Sequence, residues 1–299
     1  MSEFSLPVRL QGIHASPYTR KAVGALRYRR IPYRFILGQP GLLADSGHVD
    51  TESLPIAKPP LLPTFYTQDE VGNDQAVTDS TPILEQLDRQ FSERSVHPSS
   101  PALNFINYLL EDYADEWLTR CMFHFRWAFD ADIDKAGTLI PYLTSPSIPE
   151  AMAKAFKGEF VKRQIGRLSF VGSNSVTAPV IEASYIRFLQ LMDAHLARHS
   201  FLMGARPGSC DFAAFGQLTC LTHFDPTPMA LAVKHGPRTY GWTERVEDLC
   251  GYEVEEGDWL NPHELPDTLM ALLKEVARTH MPQLLANAKA LQAGEKNFE

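Results

Sequence analysis

No stretch of the sequence approaches the roughly 18 consecutive apolar residues that a membrane-spanning helix needs. Grouped basic residues are also scarce: 28 Lys and Arg stand against 36 Asp and Glu, a net charge of -8. Nucleic-acid backbones are bound by clustered cations, so this balance argues against such a partner. Cysteine is sparse. Cys121, Cys210, Cys220 and Cys250 lie far apart and form no C-x-x-C pair. A disulfide framework and a zinc knuckle are thereby excluded, and free thiols in a reducing compartment are expected. There is no Gly-rich phosphate loop and no G-x-S-x-G elbow. The histidines read as scattered, with no carboxylate grouping that suggests a metal. Met1 to Arg9 holds no apolar run of leader length, and a cytoplasmic location is expected.

What is present suits a folded chain of two units. The 299 residues are 44% hydrophobic and 21% charged, within the globular range and long enough for two domains. The first 90 residues alternate strand and helix signals. Val8 to Ile13 alternates apolar and polar residues, Ser16-Pro17 offers an N-cap followed by a proline at the first helical position, and Tyr33 to Leu37 reads as a second strand. The intervening helix, through Ala22, Val23, Leu26 and Arg30, is expected to carry a basic outer face. A βαβ unit of this kind favours parallel strands. Gly38 to Leu54 is irregular, with room for a short helix. Thr64 to Thr67 and Ala76-Val77 read as a hairpin around a long turn, and Asp79-Ser80-Thr81-Pro82 caps a further helix.

Beyond the Ser- and Pro-rich break at Ser92 to Pro101, strand signals almost vanish. Leu103, Ile106, Leu110, Tyr113 and Trp117 step by three and four, which predicts one amphipathic helix running to Phe129. Further helices are expected at about 149–168, 178–199, 209–223, 237–250 and 266–292. An α/β unit followed only by helices implies two domains, 1–92 and 100–299.

Four segments carry a family resemblance. Ser16-Pro17-Tyr18-Thr19-Arg20-Lys21-Ala22-Val23, between a first strand and its helix, resembles the active-site segment of serine-type cytosolic glutathione transferases. Val77-Thr78-Asp79-Ser80 resembles the acidic residue–Ser pair that binds the γ-glutamyl end of glutathione in that superfamily. Leu62-Pro63 precedes a strand where the thioredoxin fold places its cis-proline; Pro60, preceded by Pro59, is the alternative. Phe201 to Phe212 resembles the G-x-x-P-S-x-A-D run that opens the buried helix of the helical domain, with Gly208 at the usual Ser position and Asp211 retained. Asp225-Pro226, Trp242 and Arg245 also match a bacterial group of the superfamily, whereas 130–175 and the last 40 residues match poorly.

The resemblance implies a thioredoxin-like, glutathione-binding N-terminal domain, an all-α C-terminal domain and a homodimer. It implies glutathione as co-substrate, no metal, and a small-molecule electrophile as second substrate, in a detoxification type of reaction. The chemistry is coherent. A free thiol ionises near pH 8.5, and a hydroxyl donor at a helix N-terminus stabilises the thiolate by a hydrogen bond and by the helix dipole. Ser16 stands in that position, with Tyr18 and Thr19 as alternatives. Leu62 and Pro63 are expected to pair with the tripeptide backbone, Ser80 to hold its carboxylate and Asp79 its ammonium group. Tyr113, Trp117, Arg120 and His124 are expected to line the electrophile pocket. Two other functions keep the fold: a non-catalytic binding or scaffold protein, and a glutathione-dependent thiol-disulfide oxidoreductase, which needs a Cys where Ser16 stands.

Overall fold

The computed structural model describes residues 3–38 and 54–295. Strand β1 (Val8–Gly12) buries Val8 and Leu10 completely and runs into helix α1 (Pro17–Tyr28), which returns the chain to β2 (Tyr33–Leu37). β1 and β2 pair in parallel, with Leu10 opposite Phe35. β3 (Thr64–Gln68) lies antiparallel on the other side of β1, and β4 (Asp74–Val77) completes the order β2-β1-β3-β4. The Asp69 carboxylate accepts the N–H groups of Val71 and Asn73 and so closes the hairpin turn. Helix α2 (Ser80–Gln90) follows, its first turn capped by Asp79. These elements lie within two residues of their sequence-predicted spans. The irregular stretch after Gly38, with its expected short helix, lies outside the described residues.

The remaining described elements are helical. α3 (Pro101–Tyr113), a π-helical segment (Ala114–Leu118) and α4 (Thr119–Ala128) form one near-continuous rod. A single helix to Phe129 was expected; its span holds, but a wider turn interrupts it. Next come α5 (Asp130–Thr144), α6 (Glu150–Ile165), α7 (Ala178–Leu196) and α8 (Ser209–Leu218). A second π-helical segment (Thr219–Phe224) leads to α9 (Pro226–His235), α10 (Pro237–Val246), α11 (Asp267–Thr279) and α12 (Met281–Gln292). Two helices were not expected: α5, where Gly137 and Pro141 depress helix propensity, and α9, with two prolines in its first turn. The expected helix 266–292 breaks at His280, because Pro282 has no N–H to continue the ladder. The architecture is thus a thioredoxin-like α/β layer followed by an all-helical region.

One buried cluster runs through both parts, from Val8, Leu10 and Phe65 to Phe212, Phe215 and Val276. Its seam is α1 against α8, a helix in which every residue is buried. Gly216 makes that approach possible: a Cβ there would stand 2.3 Å from the Pro17 carbonyl oxygen, which is backbone and cannot rotate away. Gly216→Ala is therefore expected to destabilise the fold by about 3 kcal/mol in urea denaturation. Gly241→Ala, in exposed α10 with open space around it, should instead gain up to about 1 kcal/mol from helix propensity. Equal effects of the two substitutions would refute the close-approach argument.

Candidate functional site

Four chain segments meet around a cavity of about 490 Å³, one of them the stretch from Tyr108 to Glu116 in α3 and the π-helical segment. Tyr18 comes from the start of α1, Leu61 and Leu62 from the segment before β3, and Asp79 to Pro82 from the start of α2. The Leu62–Pro63 peptide bond is cis. Pro60 does not share that geometry, whereas Lys58–Pro59, which the sequence did not suggest, is also cis. Asp79 has φ 81°, a left-handed conformation uncommon for a non-glycine residue, and accepts the Thr81 N–H at 3.4 Å. Ser80 is buried at the helix start, where the first N–H groups of α2 have no partner within the helix.

The three candidate hydroxyls differ in what they already bind. Ser16 caps α1, accepting the Thr19 N–H at 3.3 Å, and among the described residues nothing accepts its own proton. Tyr18 donates to the Asp115 carbonyl at 2.7 Å and lies 3.0 Å from the Thr119 hydroxyl, and burial pushes its pKa up. Thr19 is fully buried beneath Gly12 without a hydrogen-bond partner. The structure therefore brings Tyr18, Leu62, Asp79 and Ser80 to one cavity. Ser16 belongs to the same turn as Tyr18 but does not line that cavity.

The expected electrophile lining is corrected. Tyr113, Trp117 and His124 are buried in the packing of the α3–α4 rod against α7. Tyr113 meets Phe188, the Trp117 indole donates to the Ser184 hydroxyl at 3.0 Å, and His124 bonds Ser173 and Glu182. Arg120 lies over the Trp117 ring. A step of three and four suits a core face as well as a pocket face, and here it serves the core.

What the sequence reading missed is the cavity floor. Lys21, expected on a basic outer face, is only 1% exposed. Its ammonium group donates to Thr81 at 3.0 Å, Glu111 at 2.6 Å and Asp115 at 2.5 Å. Burial alone would depress the Lys21 pKa, but the two carboxylates outweigh it and hold the amine charged. Burial would likewise raise Glu111, yet Lys21 and donors from Ser209 and Thr81 keep it ionised. Asp115 comes off worse: burial pushes its carboxyl up to about 6, against the pull of Lys21. Asp112 and Glu116 add two more carboxylates to the rim. The legible signal was the i, i+4 spacing of Glu111 and Asp115.

Behind the β1–α1 turn, Arg126 binds both oxygens of Asp225 at 3.0 Å and donates to the Ala15 carbonyl at 3.4 Å. The histidines are less scattered than expected: His195 and His199 stack at 4.7 Å, one helical turn apart. Both His195 ring nitrogens are engaged, by Thr268 and the Phe201 carbonyl, and no metal-binding group of three or more residues occurs among the described residues.

Residues 10–95 match the family model of the glutathione S-transferase N-terminal domain. The match spans the α/β layer, from within β1 to just past α2. No significant sequence match is found among curated proteins. The beta-etherase LigF from Sphingobium sp. strain SYK-6 is 16% identical with a TM-score of 0.55, the match covering 81% of this chain and 95% of that one. A glutathione S-transferase from Rhodospirillum rubrum F11 is 16% identical (TM-score 0.49; 86% and 97% covered). Another, from Methylobacterium radiotolerans in complex with glutathione sulfonate, is 17% identical (TM-score 0.45; 80% and 90% covered). The first of these shows a shared overall fold.

The departure at Gly208 now has a structural account. A side chain there would meet the Asn107 carboxamide oxygen at 2.3 Å. Asn107, from α3, instead accepts the Cys210 N–H at 3.1 Å, while the Asp211 carboxylate accepts from Gly208 at 2.9 Å. The serine expected at the cap of this buried helix is thus replaced by a side chain from a neighbouring helix.

The elevated Asp115 pKa has a consequence for stability. A carboxyl raised from 3.8 to about 6 on folding favours the native state below its unfolded pKa, and that advantage is lost as pH rises through about 6. Between about pH 4 and pH 7, the stability of Asp115→Asn relative to wild type should move in the variant's favour by up to about 3 kcal/mol. Urea denaturation at the two pH values measures it; a difference that does not change with pH would return Asp115 to ordinary behaviour.

Proposed function

We propose that the protein binds glutathione in the 490 Å³ cavity and activates its thiol for attack on a small hydrophobic electrophile. The observation that carries this reading is the convergence of Leu62, at a cis-proline, with the strained Asp79 and the buried Ser80 on one cavity beside the capped start of α1. Ser80 and the α2 N-terminus suit the γ-glutamyl carboxylate, and Asp79 suits the ammonium group beside it. The Leu62 backbone suits the cysteinyl residue. Ser16, whose proton is uncommitted, then donates to the sulfur at the positive end of α1. A homodimer belongs to the same proposal, and sedimentation velocity tests it.

A specific observation favours a second reading, a non-catalytic binding protein on the same fold. Among the described residues five carboxylates line the cavity, and Lys21 pairs with two of them, Glu111 and Asp115, from below. Thiolate formation makes glutathione more anionic, so this field opposes it. Thiol-disulfide exchange has less support: the thiol nearest the turn, Cys220, is buried and donates to the Ala15 carbonyl at 3.9 Å.

Calorimetry with reduced glutathione at neutral pH separates the readings. Micromolar to low-millimolar binding is expected, weakened by about 1 kcal/mol in Ser80→Ala if its hydroxyl meets the carboxylate. No binding at several millimolar would overturn the proposal. Ser16→Ala should raise the pKa of bound glutathione, followed by thiolate absorbance, more than it weakens binding. An unaltered pKa would remove Ser16 from the thiol.

A further inference from the structure

The β1–α1 turn serves two cavities. Tyr18 lines the one described above, while His14 and Ala15 line a second, of about 370 Å³, with Ser16 between them in the chain. The second cavity is completed by Arg20, by one face of α5, and by Thr219, Cys220 and Phe224 of the second π-helical segment. Its volume falls in the range of small-molecule sites.

The two cavities have opposite charge. Among the described residues no carboxylate lines the second one, and its cations are Arg20 and Lys135. Arg20 is already occupied: it binds both oxygens of Glu247 at 2.9 Å and the His14 carbonyl. Burial, and then Arg20, lower the His14 pKa, so its ring is neutral at pH 7. Lys135 is different. Its ammonium group lies 5.3 Å from the centre of the Phe224 ring and forms no ion pair among the described residues. The nearby carboxylates are committed elsewhere, Asp132 to Thr227, Asp134 to Lys157 and Asp225 to Arg126. Around this cation the walls are apolar and aromatic: Leu139, Tyr142, Leu143 and Phe224.

The geometry points to an aromatic electrophile bearing a carboxylate as the second substrate, its ring between Tyr142, Leu139 and Phe224 and its carboxylate on Lys135. The reaction rests on the glutathione reading above; the binding site does not. With 4-chloro-3-nitrobenzoate, the sulfur lone pair forms the C–S bond at the ring carbon bearing chlorine. The C–Cl bond breaks, chloride leaves with its electron pair, and the thiol proton goes to solvent.

Binding is tested first, on the full-length protein without glutathione, by calorimetry with unreactive 3-nitrobenzoate and its neutral isostere 3-nitrobenzamide. The acid is expected to bind about tenfold tighter than the amide, the size of one charge-assisted hydrogen bond. Lys135→Met should abolish that preference and Lys135→Glu should reverse it. Leu139→Trp, entered from the cavity rim, should block both compounds. Each variant is checked for an unchanged melting transition. Absence of binding by wild type, equal binding of acid and amide, or a preference that survives Lys135→Met would each overturn the inference. Glutathione is then titrated separately. A wild-type protein that prefers the acid but ignores glutathione overturns the transferase reading alone, and one that binds glutathione without the preference overturns this inference alone. Where both bind, chloride release from 4-chloro-3-nitrobenzoate should fall at least about tenfold in kcat/KM in Lys135→Met.

Discussion

An ammonium group taken out of water costs several kcal/mol unless charge and hydrogen bonds replace its hydration, and Lys21 is almost fully enclosed. All three of its donor positions are filled, by one hydroxyl and two carboxylates. Those partners come from different elements: Thr81 from α2, Glu111 from α3 and Asp115 from the π-helical segment. Glu111 in turn accepts from Ser209 of α8, which receives a hydrogen bond from Asn107. A single lysine on α1 thus ties the α/β layer to three helical elements, and the cavity floor is made of the same atoms. The same chain of hydrogen bonds reaches the start of α2, the π-helical segment and the start of α8. Removing one partner would leave a buried charge exposed to low dielectric, so these residues are fixed as a set.

The α/β layer was legible because its signals are local. Alternation in Val8–Gly12, the Ser16-Pro17 cap and the Asp79-Ser80 cap each act within a few residues, and the family motifs fall at those same positions. The cavity floor was not legible for the converse reason. Lys21 is 90 residues from Glu111 and 94 from Asp115, and nothing near it in sequence distinguishes it from Arg20, which is half-buried. The aromatic stripe Tyr113, Trp117 and His124 misled because a helix presents the same spacing to a core and to a pocket. What decided between them was the opposing face of α7, with Ser184 and Phe188, more than 60 residues away. The π-helical segments are similarly silent: they shift the register of a helix by a single residue while leaving its hydrophobic period almost intact.

Those two segments nonetheless govern the functional surface. The first places Asp115 and Glu116 on one cavity, and the second places Thr219, Cys220 and Phe224 on the other. Between them lies the β1–α1 turn, anchored from behind by Arg126 and Asp225 through the Ala15 carbonyl. The anchor is a buried pair: the Arg126 Nε–H is shared between both Asp225 oxygens, and Nη1 is spent on backbone rather than on ligand. It holds the turn in place without adding net charge to either cavity.

The charge distribution then bears on where a thiolate can form. A sulfur anion drawn towards Asp115 and Glu116 would approach carboxylates in a site where burial already raises Asp115 to about 6. Displaced towards Ser16, it meets the N-terminus of α1 and a hydroxyl proton that no described residue accepts, and beyond them a cavity lined by no carboxylate among the described residues. On the proposed reading, the acidic floor is compatible with thiol activation because the two tasks are separated along the turn. The ammonium end of glutathione is matched to the carboxylates, and the sulfur is matched to the side of the turn where Lys135 supplies the unpaired positive charge.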